Sequence, residues 1–246
     1  MTKRCLVAGG ASGIGAAIAD RLCADGWTVF VLDRQAMDTP TSKTVDLRNS
    51  EAVHEAVTAF GAERSFDAVV VTAGVGVFGA IADTTDGAWR AAIDHNLTGP
   101  FHLLRAVIPF LADSSSVVTV ASTNAIAPLR FEGAYTAAKA GLVAMSQSLA
   151  LELAPRTRVN VVSHGLIDTP FIERITSDSE LSRVAAEATP MGRIGTPDDA
   201  VGLIQFLLGS QAGYITGQHF VIDGGGTLPR TQSDAIMRQL SARGVA

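Results

Sequence analysis

The sequence predicts a single α/β domain in which helices cover both faces of a parallel sheet. The chain has 246 residues, of which 47% are hydrophobic and 17% charged, so it can bury a large core and is not a disordered chain. Short runs rich in Val and Ile, apolar on both faces, alternate with helix-like segments along its whole length. We found no linker, repeat or low-complexity segment. These observations together predict one doubly wound domain.

The predicted elements follow one another in regular alternation. We expect helices over residues 14–25, 51–60, 86–111, 134–153 and 197–208. We assign the domain to residues 1–226 and a C-terminal tail to residues 227–246. The strands are expected over residues 4–8, 28–32, 68–72, 117–121, 158–162 and 219–222.

Two segments interrupt this alternation. Residues 34–43 are too few and too rich in turn formers for a full crossover helix. Residues 169–193 are polar and broken, and they follow a strand. Because ligands of open parallel sheets bind at the carboxyl ends of strands, this second segment is a candidate lid over a site.

Charge and cysteine usage narrow the partners and the compartment. The formal charge of −5 and the lack of a basic run argue against a nucleic-acid surface. The apolar stretch after Lys3 and Arg4 is shorter than the core of a signal peptide, and no stretch approaches the ~20 apolar residues that cross a bilayer. Cys5 and Cys23 have no metal-ligand spacing, and we expect buried thiols in a reducing compartment. A cytoplasmic protein without metal or membrane partner is expected.

A glycine-rich turn joins the first strand to the first helix. Glycines at positions 9, 13 and 15 allow the backbone to approach a phosphate and the helix to pack closely on the strand. The N-terminus of that helix offers free N–H groups and the positive end of its dipole to a pyrophosphate. The turn therefore favours dinucleotide binding through Gly9, Ser12, Gly13, Ile14 and Gly15, although its spacing is not GxGxxG.

The end of the second predicted strand indicates which dinucleotide binds. Asp33 follows the glycine turn by about 20 residues, where a carboxylate binds the ribose 2′-hydroxyl and repels a 2′-phosphate. Arg34 beside it could meet a 2′-phosphate, but we favour NAD over NADP. Asp46 and Leu47 follow the next short strand and could contact the adenine, although Asp46 also suits a helix N-cap.

Tyr135 and Lys139 stand four residues apart on a predicted helix, so their side chains share one face. A phenol with an ordinary pKa near 10 is a poor base at neutral pH. A nearby ammonium group, together with a positive nicotinamide, would lower that pKa, and the phenol could then exchange a proton with an alcohol or a carbonyl. By itself this pair could equally be a surface tyrosine and a solvated lysine.

Several motifs in a fixed order resemble the short-chain dehydrogenase/reductase (SDR) family over residues 3–226. They begin with the glycine turn and Thr72-Ala73-Gly74, and continue with Asn96, Ser122 and Tyr135-xxx-Lys139. The interval of 13 residues from Ser122 to Tyr135 also fits the family. The series ends with the segments 190–197 and 216–225.

This resemblance implies a Rossmann-type sheet and a role for each matched residue. Ser122 would bind the substrate oxygen, and Tyr135 would be the general acid and base. Lys139 would bind the nicotinamide ribose and lower the pKa of Tyr135. Asn96 would hold, through its backbone, a water that links Lys139 to solvent. The resemblance further implies cofactor contacts from Ala73, Gly74, Asn96, Tyr135, Lys139, Ile167 and Thr169, and a homotetramer with residues 86–111 and 134–153 at one interface.

Departures from the family pattern occur at three positions. Ala8 and Thr72 replace residues that brace the glycine turn, and His164 replaces the proline of a Pro-Gly pair. A histidine so close to the nicotinamide could tune pH dependence or touch substrate, or it could simply be packed.

The substrate segments 75–78, 123–131 and 171–188 are mostly apolar. In them, Asn124 could bind a hydroxyl, and Arg130 could bind a carboxylate or face solvent.

The short link after Asp33 and the segments 118–122 and 128–130 resemble those of family members that oxidise cyclic dihydrodiols. A secondary alcohol or ketone is the broader expectation. Three alternatives stay open: a 3-oxoacyl reductase of the same family, an isomerase, dehydratase or epimerase on the same scaffold, and a non-enzymatic dinucleotide sensor. The Ser-Tyr-Lys set favours hydride transfer, and Asp33 argues against an NADP-dependent reductase.

Overall fold

A parallel sheet of seven strands forms the centre of the computed structural model, which describes residues 2–228. The strand order is β3-β2-β1-β4-β5-β6-β7, and every neighbouring pair is parallel. The strands are β1 (Arg4–Ala8), β2 (Thr28–Asp33), β3 (Ser42–Thr44), β4 (Phe66–Val71), β5 (Leu111–Ser122), β6 (Thr157–His164) and β7 (His219–Ile222).

Within residues 2–228, eight α-helices connect these strands, and helices cover both faces of the sheet. A π-helical turn, Asp94–Thr98, lies between the third and fourth of them. The helices are α1 (Gly13–Ala24), α2 (Ser50–Gly61), α3 (Asp86–Ile93), α4 (Gly99–Val107), α5 (Gly133–Leu153), α6 (Glu173–Thr176), α7 (Ser179–Ala188) and α8 (Pro197–Leu208).

The core consists of two apolar layers, one on each face of the sheet. Because side chains alternate along a strand, Leu6 and Ala8 of β1 enter one layer while Cys5 and Val7 enter the other. The first layer holds apolar side chains of α2, α4 and α5, and the second those of α1 and α8. This arrangement confirms the predicted Rossmann-type doubly wound sheet.

Some element boundaries differ from the predicted ones. The single helix expected over 86–111 is divided by the π-helical turn, and β5 begins at Leu111, six residues earlier than expected. The candidate lid contains two helices, α6 and α7. The expectation of two buried thiols holds for Cys5 but is wrong for Cys23, which is exposed, and both cysteines are free.

The carboxyl ends of the strands lie at one edge of the sheet, as parallel pairing requires. The residues that follow them, among them the glycine turn, Asp33, Thr72 and Ser122, therefore gather there. Within residues 2–228, no helix is both long and apolar enough to span a bilayer. Of the predicted tail, residues 229–246 lie outside the described part of the chain.

Candidate active site

The glycine turn lies tightly against the end of β4. A Cβ on Gly15 would stand 2.0 Å from the carbonyl oxygen of Gly9, so no larger residue fits there without movement of the turn. The Thr72 hydroxyl donates to the carbonyl oxygens of Ala8 and Gly9, at 2.9 and 3.0 Å. Thr72 thus braces the turn from the neighbouring strand, although it is one of the positions at which this chain departs from the family pattern.

The first turn of α1 leaves backbone donors available to a ligand. Ser12 is the N-cap residue, with extended backbone angles, but its side chain makes no capping hydrogen bond. The first N–H groups of a helix have no partner within the helix, and they carry the positive end of its dipole. Ser12, Gly13, Ile14 and Gly15 all line one cleft, so this cradle fits a pyrophosphate.

Asp33 lies directly beside the glycine turn. One of its carboxylate oxygens accepts from the backbone N–H of Ala11 at 3.0 Å, and the other accepts from the N–H of Gln35 at 2.9 Å. These two bonds fix the orientation of the carboxylate at the rim of the cleft. A carboxylate held there has acceptor capacity left for a hydroxyl donor.

Basic residues surround the same end of the cleft. Arg34 lines it, and Arg48 forms an ion pair with Asp46 at 2.6 Å that lowers the pKa of that carboxyl to about 2. His95 lines the cleft as well, and burial, with the charges of Arg48 and Arg34, lowers its pKa. Leu47 is buried, and its carbonyl oxygen lies 3.0 Å from Nδ1 of His102.

Ser122, Tyr135 and Lys139 converge at the other end of the cleft. Ser122 is the last residue of β5, and the other two lie one turn apart near the start of α5. All three are at most 7% exposed. The Lys139 Nζ lies 5.7 Å from the centre of the Tyr135 ring and donates to the carbonyl oxygen of Val120 at 3.2 Å. The structure thus brings the three predicted residues together.

The hydrogen bonds around Ser122 give its hydroxyl a direction. Its Oγ accepts from the backbone N–H of Asn124 at 3.2 Å, so the hydroxyl proton is free to be donated elsewhere. A hydrogen bond between Ser122 and Tyr135 lowers the pKa of the phenol. Ser122 and Tyr135 can therefore serve one substrate oxygen together.

Burial shifts the pKa values of both Tyr135 and Lys139. Desolvation raises the pKa of Tyr135 above its ordinary value, the Ser122 hydrogen bond opposes that rise, and the charge of Glu132 adds to it. Desolvation lowers the pKa of Lys139 to about 8. In the surroundings supplied by the protein alone, the phenol is protonated at neutral pH and ready to donate.

Asn96 is fully buried in the π-helical turn and uses its whole side chain as a brace. Its amide group donates to the carbonyl oxygens of Val75 and Ala92, at 3.0 and 2.9 Å, and its Oδ1 accepts from the N–H of Val75 at 3.1 Å. These bonds fix the loop after β4. The backbone of Asn96 is therefore what is left to take part in a proton path.

An aromatic pair and a polar pair lie near Tyr135 and Ser122. The ring of Phe171 lies 5.9 Å from that of Tyr135, and Phe78 is 67% exposed beside it. Opposite, the buried Asn124 amide donates to the carboxylate of Glu132, whose pKa is raised by burial. A hydroxyl-binding role for Asn124 must therefore compete with this carboxylate.

The structure gathers most of the predicted cofactor residues along the cleft, but not all predicted site residues line it. Arg130 is exposed and makes no hydrogen bond or ion pair within residues 2–228. The lining of the cleft also lacks four further predicted residues, Asn96, Ser122, Asn124 and Ile167. The cleft residues that the sequence did not indicate are Leu32, Gln35, Val45, Arg48, His95, Val120 and Pro170. Arg48 and His95 could have been predicted to line the cleft, because each is next in sequence to a predicted cofactor residue, Leu47 or Asn96.

Comparison with known proteins identifies the family. A family model described as enoyl-(acyl carrier protein) reductase matches residues 9–227. Human "Dehydrogenase/reductase SDR family member 4" is 33% identical over 241 residues, which cover 91% of this chain and 87% of the human protein. The chain belongs to the short-chain dehydrogenase/reductase family. This finding confirms the resemblance that the sequence motifs carried.

Other SDR relatives with similar sequence identity to this chain have different named activities. A 3-oxoacyl-(acyl-carrier-protein) reductase FabG of Thermotoga maritima is 31% identical, covering 91% of this chain and 97% of that protein. An NADP-dependent (R)-specific alcohol dehydrogenase of Lentilactobacillus kefiri is also 31% identical, covering 92% of this chain and 96% of that protein.

Solved SDR structures superpose closely on this fold. Thermoplasma acidophilum aldohexose dehydrogenase has a TM-score of 0.88 at 29% identity, covering 93% of this chain and 95% of that one. A 4-hydroxyisoleucine dehydrogenase complexed with NADH has a TM-score of 0.86 at 30% identity, covering 93% of this chain and 100% of that one. The chain is therefore an SDR oxidoreductase that uses a nicotinamide dinucleotide.

Proposed function

We propose that this SDR oxidoreductase interconverts a secondary alcohol and a ketone with NAD as the hydride carrier. The observation that supports this most is a single cleft with two functional ends. One end carries the glycine turn and Asp33, and the other carries Tyr135 and Lys139 beside Ser122. A dinucleotide lying along the cleft would bring its reactive ring to the proton-transfer groups.

The roles follow from the contacts of each side chain. When bound, the nicotinamide takes up the hydride that leaves the carbinol carbon, or returns it to the ketone carbon. Ser122 donates its hydroxyl proton to the substrate oxygen, because its contact with the N–H of Asn124 uses only an acceptor lone pair and leaves the proton available. Tyr135 takes the alcohol proton during oxidation and gives one back during reduction.

Lys139 stabilises the phenolate form of Tyr135 by its charge and binds the ribose of the cofactor. Its only hydrogen bond within residues 2–228 goes to Val120, so two of its three N–H donors are available for a ribose hydroxyl and a water. We propose that this water lies against the backbone carbonyl of Asn96 and leads to solvent. The side chain of Asn96 holds the path in place through Val75 and Ala92.

Asp33 is the basis for preferring NAD over NADP. A 2′-phosphate bound beside this carboxylate would be repelled by several kcal/mol at the effective dielectric of a protein surface, which corresponds to more than tenfold in affinity. Arg34 and Arg48 oppose this preference, but Arg48 is already paired with Asp46. Among the relatives, one is named as NADP-dependent and another was solved with NADH, so the preference varies within the family.

The cofactor preference is tested by titrating the protein with NADH and with NADPH and following their fluorescence. We expect NADH to bind at least tenfold more tightly. Asp33→Ala should reduce that ratio to about one, and Asp25→Ala, at an exposed acid on the far end of α1, should leave it unchanged. Tighter binding of NADPH by the unmodified protein would refute the assignment.

For the substrate we propose a mostly apolar secondary alcohol or ketone, including cyclic alcohols and dihydrodiols. Phe78 and Phe171 supply an apolar wall, while Asn124 and Glu132 supply polar contacts for a further hydroxyl. The carboxylate of Glu132 disfavours acidic substrates, and the exposed Arg130 offers no counter-charge inside the site. A spectrophotometric screen of neutral and acidic secondary alcohols, with NAD and NADP, tests this proposal.

A 3-oxoacyl reductase is the main alternative, and a relative of that name supports considering it. It would reduce a 3-oxoacyl thioester faster than any simple ketone in the same screen. A dinucleotide sensor is disfavoured because it has no need of three buried proton-transfer groups in one place.

For the assembly we propose a homotetramer that buries exposed apolar residues of α4 and α5. Phe101 and Leu151 are 41% and 85% exposed in the single chain. Light scattering after size-exclusion chromatography should give the molecular mass of four chains. The mass of a single chain would refute the proposed homotetramer.

A further inference from the structure

His164 occupies a position that the proposed mechanism does not use. It is the last residue of β6 and pairs in register with Ser122, the last residue of β5. Partners in a parallel ladder lie about 4.8 Å apart and direct their side chains to the same face. His164 lines the cleft, and the charge of Lys139 acts on its ring.

One hydrogen bond fixes the tautomer of this ring. Its Nδ1 lies 2.8 Å from the carbonyl oxygen of Gly165. A carbonyl oxygen only accepts, so Nδ1 carries the proton and Nε2 of the neutral ring carries a lone pair. Nε2 makes no hydrogen bond within residues 2–228. Nε2 of the ring is thus an unused hydrogen-bond acceptor at the edge of the cleft.

The ring stays neutral at physiological pH. Burial lowers its pKa to about 4, and the charge of Lys139 acts in the same direction, while the bond to Gly165 opposes the shift. From the other side, Asp223 of the loop after β7 approaches the backbone of Gly165. The neutral form is therefore the one that a cofactor meets.

A nicotinamide placed for the proposed reaction would lie near this ring. The hydride and the proton leave the same carbinol group, so the hydride acceptor sits within about 3.5 Å of a carbon that touches the hydroxyl of Tyr135. Tyr135, Lys139 and His164 all line the same end of the cleft.

We propose that His164 biases cofactor binding toward NAD⁺ over NADH. The oxidised nicotinamide carries a positive charge and the reduced one does not. The unused lone pair on Nε2 places partial negative charge at the edge of the cleft, and it attracts a cation at close range. It has no comparable interaction with the reduced ring. This inference rests on the proposed function, because it concerns the same NAD site.

The test measures two dissociation constants rather than activity. NADH binding is followed by its fluorescence, and NAD⁺ binding by calorimetry, at pH 7. We expect His164→Leu to weaken NAD⁺ about three- to tenfold and to change NADH less than twofold. For His164→Asn, whose amide oxygen is an acceptor, the NAD⁺ dissociation constant should lie between those of the unmodified protein and of His164→Leu. His54→Leu, on the exposed surface of α2, is the matched control and should change neither constant.

The outcomes separate the inference from the function on which it rests. Equal changes in both dissociation constants, or no change in either, would overturn the role of His164. Failure of the unmodified protein to bind either form would instead overturn the proposed NAD site. If His164→Leu does not fold, the asparagine variant decides: an unaltered ratio of the two constants would overturn the inference.

Discussion

Replacing Lys139 with methionine should stabilise the protein and abolish its activity. The ammonium group is 4% exposed, has no carboxylate within ion-pair distance among residues 2–228, and has a pKa lowered from 10.5 to about 8. Keeping it charged at pH 7 therefore costs the folded state roughly 3 kcal/mol, since a tenfold change in acidity corresponds to about 1.4 kcal/mol. Methionine fills a similar volume without charge.

The expected gain is somewhat smaller than that cost. The carbonyl oxygen of Val120 loses its hydrogen bond from Lys139, which removes about 1 kcal/mol. The net gain at pH 7 is thus about 2 kcal/mol, or an increase in Tm of about 4–8 °C for a domain of this size.

The pH dependence of the unfolding free energy independently tests whether the Lys139 charge destabilises the folded state. Because the pKa is lower in the folded than in the unfolded state, the penalty is complete below pH 8 and is relieved as the pH rises toward 10.5. The difference in unfolding free energy between the variant and the unmodified protein should therefore shrink over this range.

Urea denaturation without cofactor, at fixed protein concentration, measures both effects. Lys3→Met, at an exposed lysine, is the control and should change the unfolding free energy by less than about 0.5 kcal/mol. A Lys139→Met protein that is less stable than the unmodified one at pH 7 would refute the reasoning. So would a difference that does not depend on pH.

Two further predictions concern groups around this lysine. Glu132→Gln removes a negative charge that raises the pKa of Tyr135, so the rise of alcohol oxidation rate with pH should move to lower pH; an unmoved or oppositely moved profile contradicts this. Gly74→Ala would place a Cβ 2.6 Å from Oδ1 of Asn96 and 3.2 Å from Nζ of Lys139. We expect about 1–3 kcal/mol of destabilisation by urea denaturation and weaker NADH binding, and an unchanged protein would contradict the close approach.

Much of the fold could be predicted because the apolar pattern follows the strands and helices. The π-helical turn could not, since one added residue in a helical turn barely disturbs apolar spacing over 86–111. The early start of β5 was also missed. Its first residues include three consecutive serines, of which Ser115 and Ser116 are buried. Their burial depends on Thr157 and the carbonyl oxygen of Leu207, partners that only the tertiary structure provides.

The candidate site was predictable where a residue type and a spacing carry the chemistry. Tyr135, Lys139 and Ser122 were found by their order and intervals, and the structure brings them together. Glu132 was missed, because an acid next to a helix start is ordinary in a sequence and gains meaning only through Asn124. Arg130 was named for its charge, but its exposure follows from a loop path that the sequence does not reveal.

The central claim is that Tyr135 transfers the proton while the cleft binds the cofactor. Tyr135→Phe separates the two functions, because it removes the phenolic oxygen and keeps the ring against Phe171. On a secondary alcohol found by the screen, we predict a fall in kcat of about 10²–10⁴-fold with NADH affinity changed less than threefold. A variant that oxidises the alcohol at the unmodified rate while binding NADH would contradict the account.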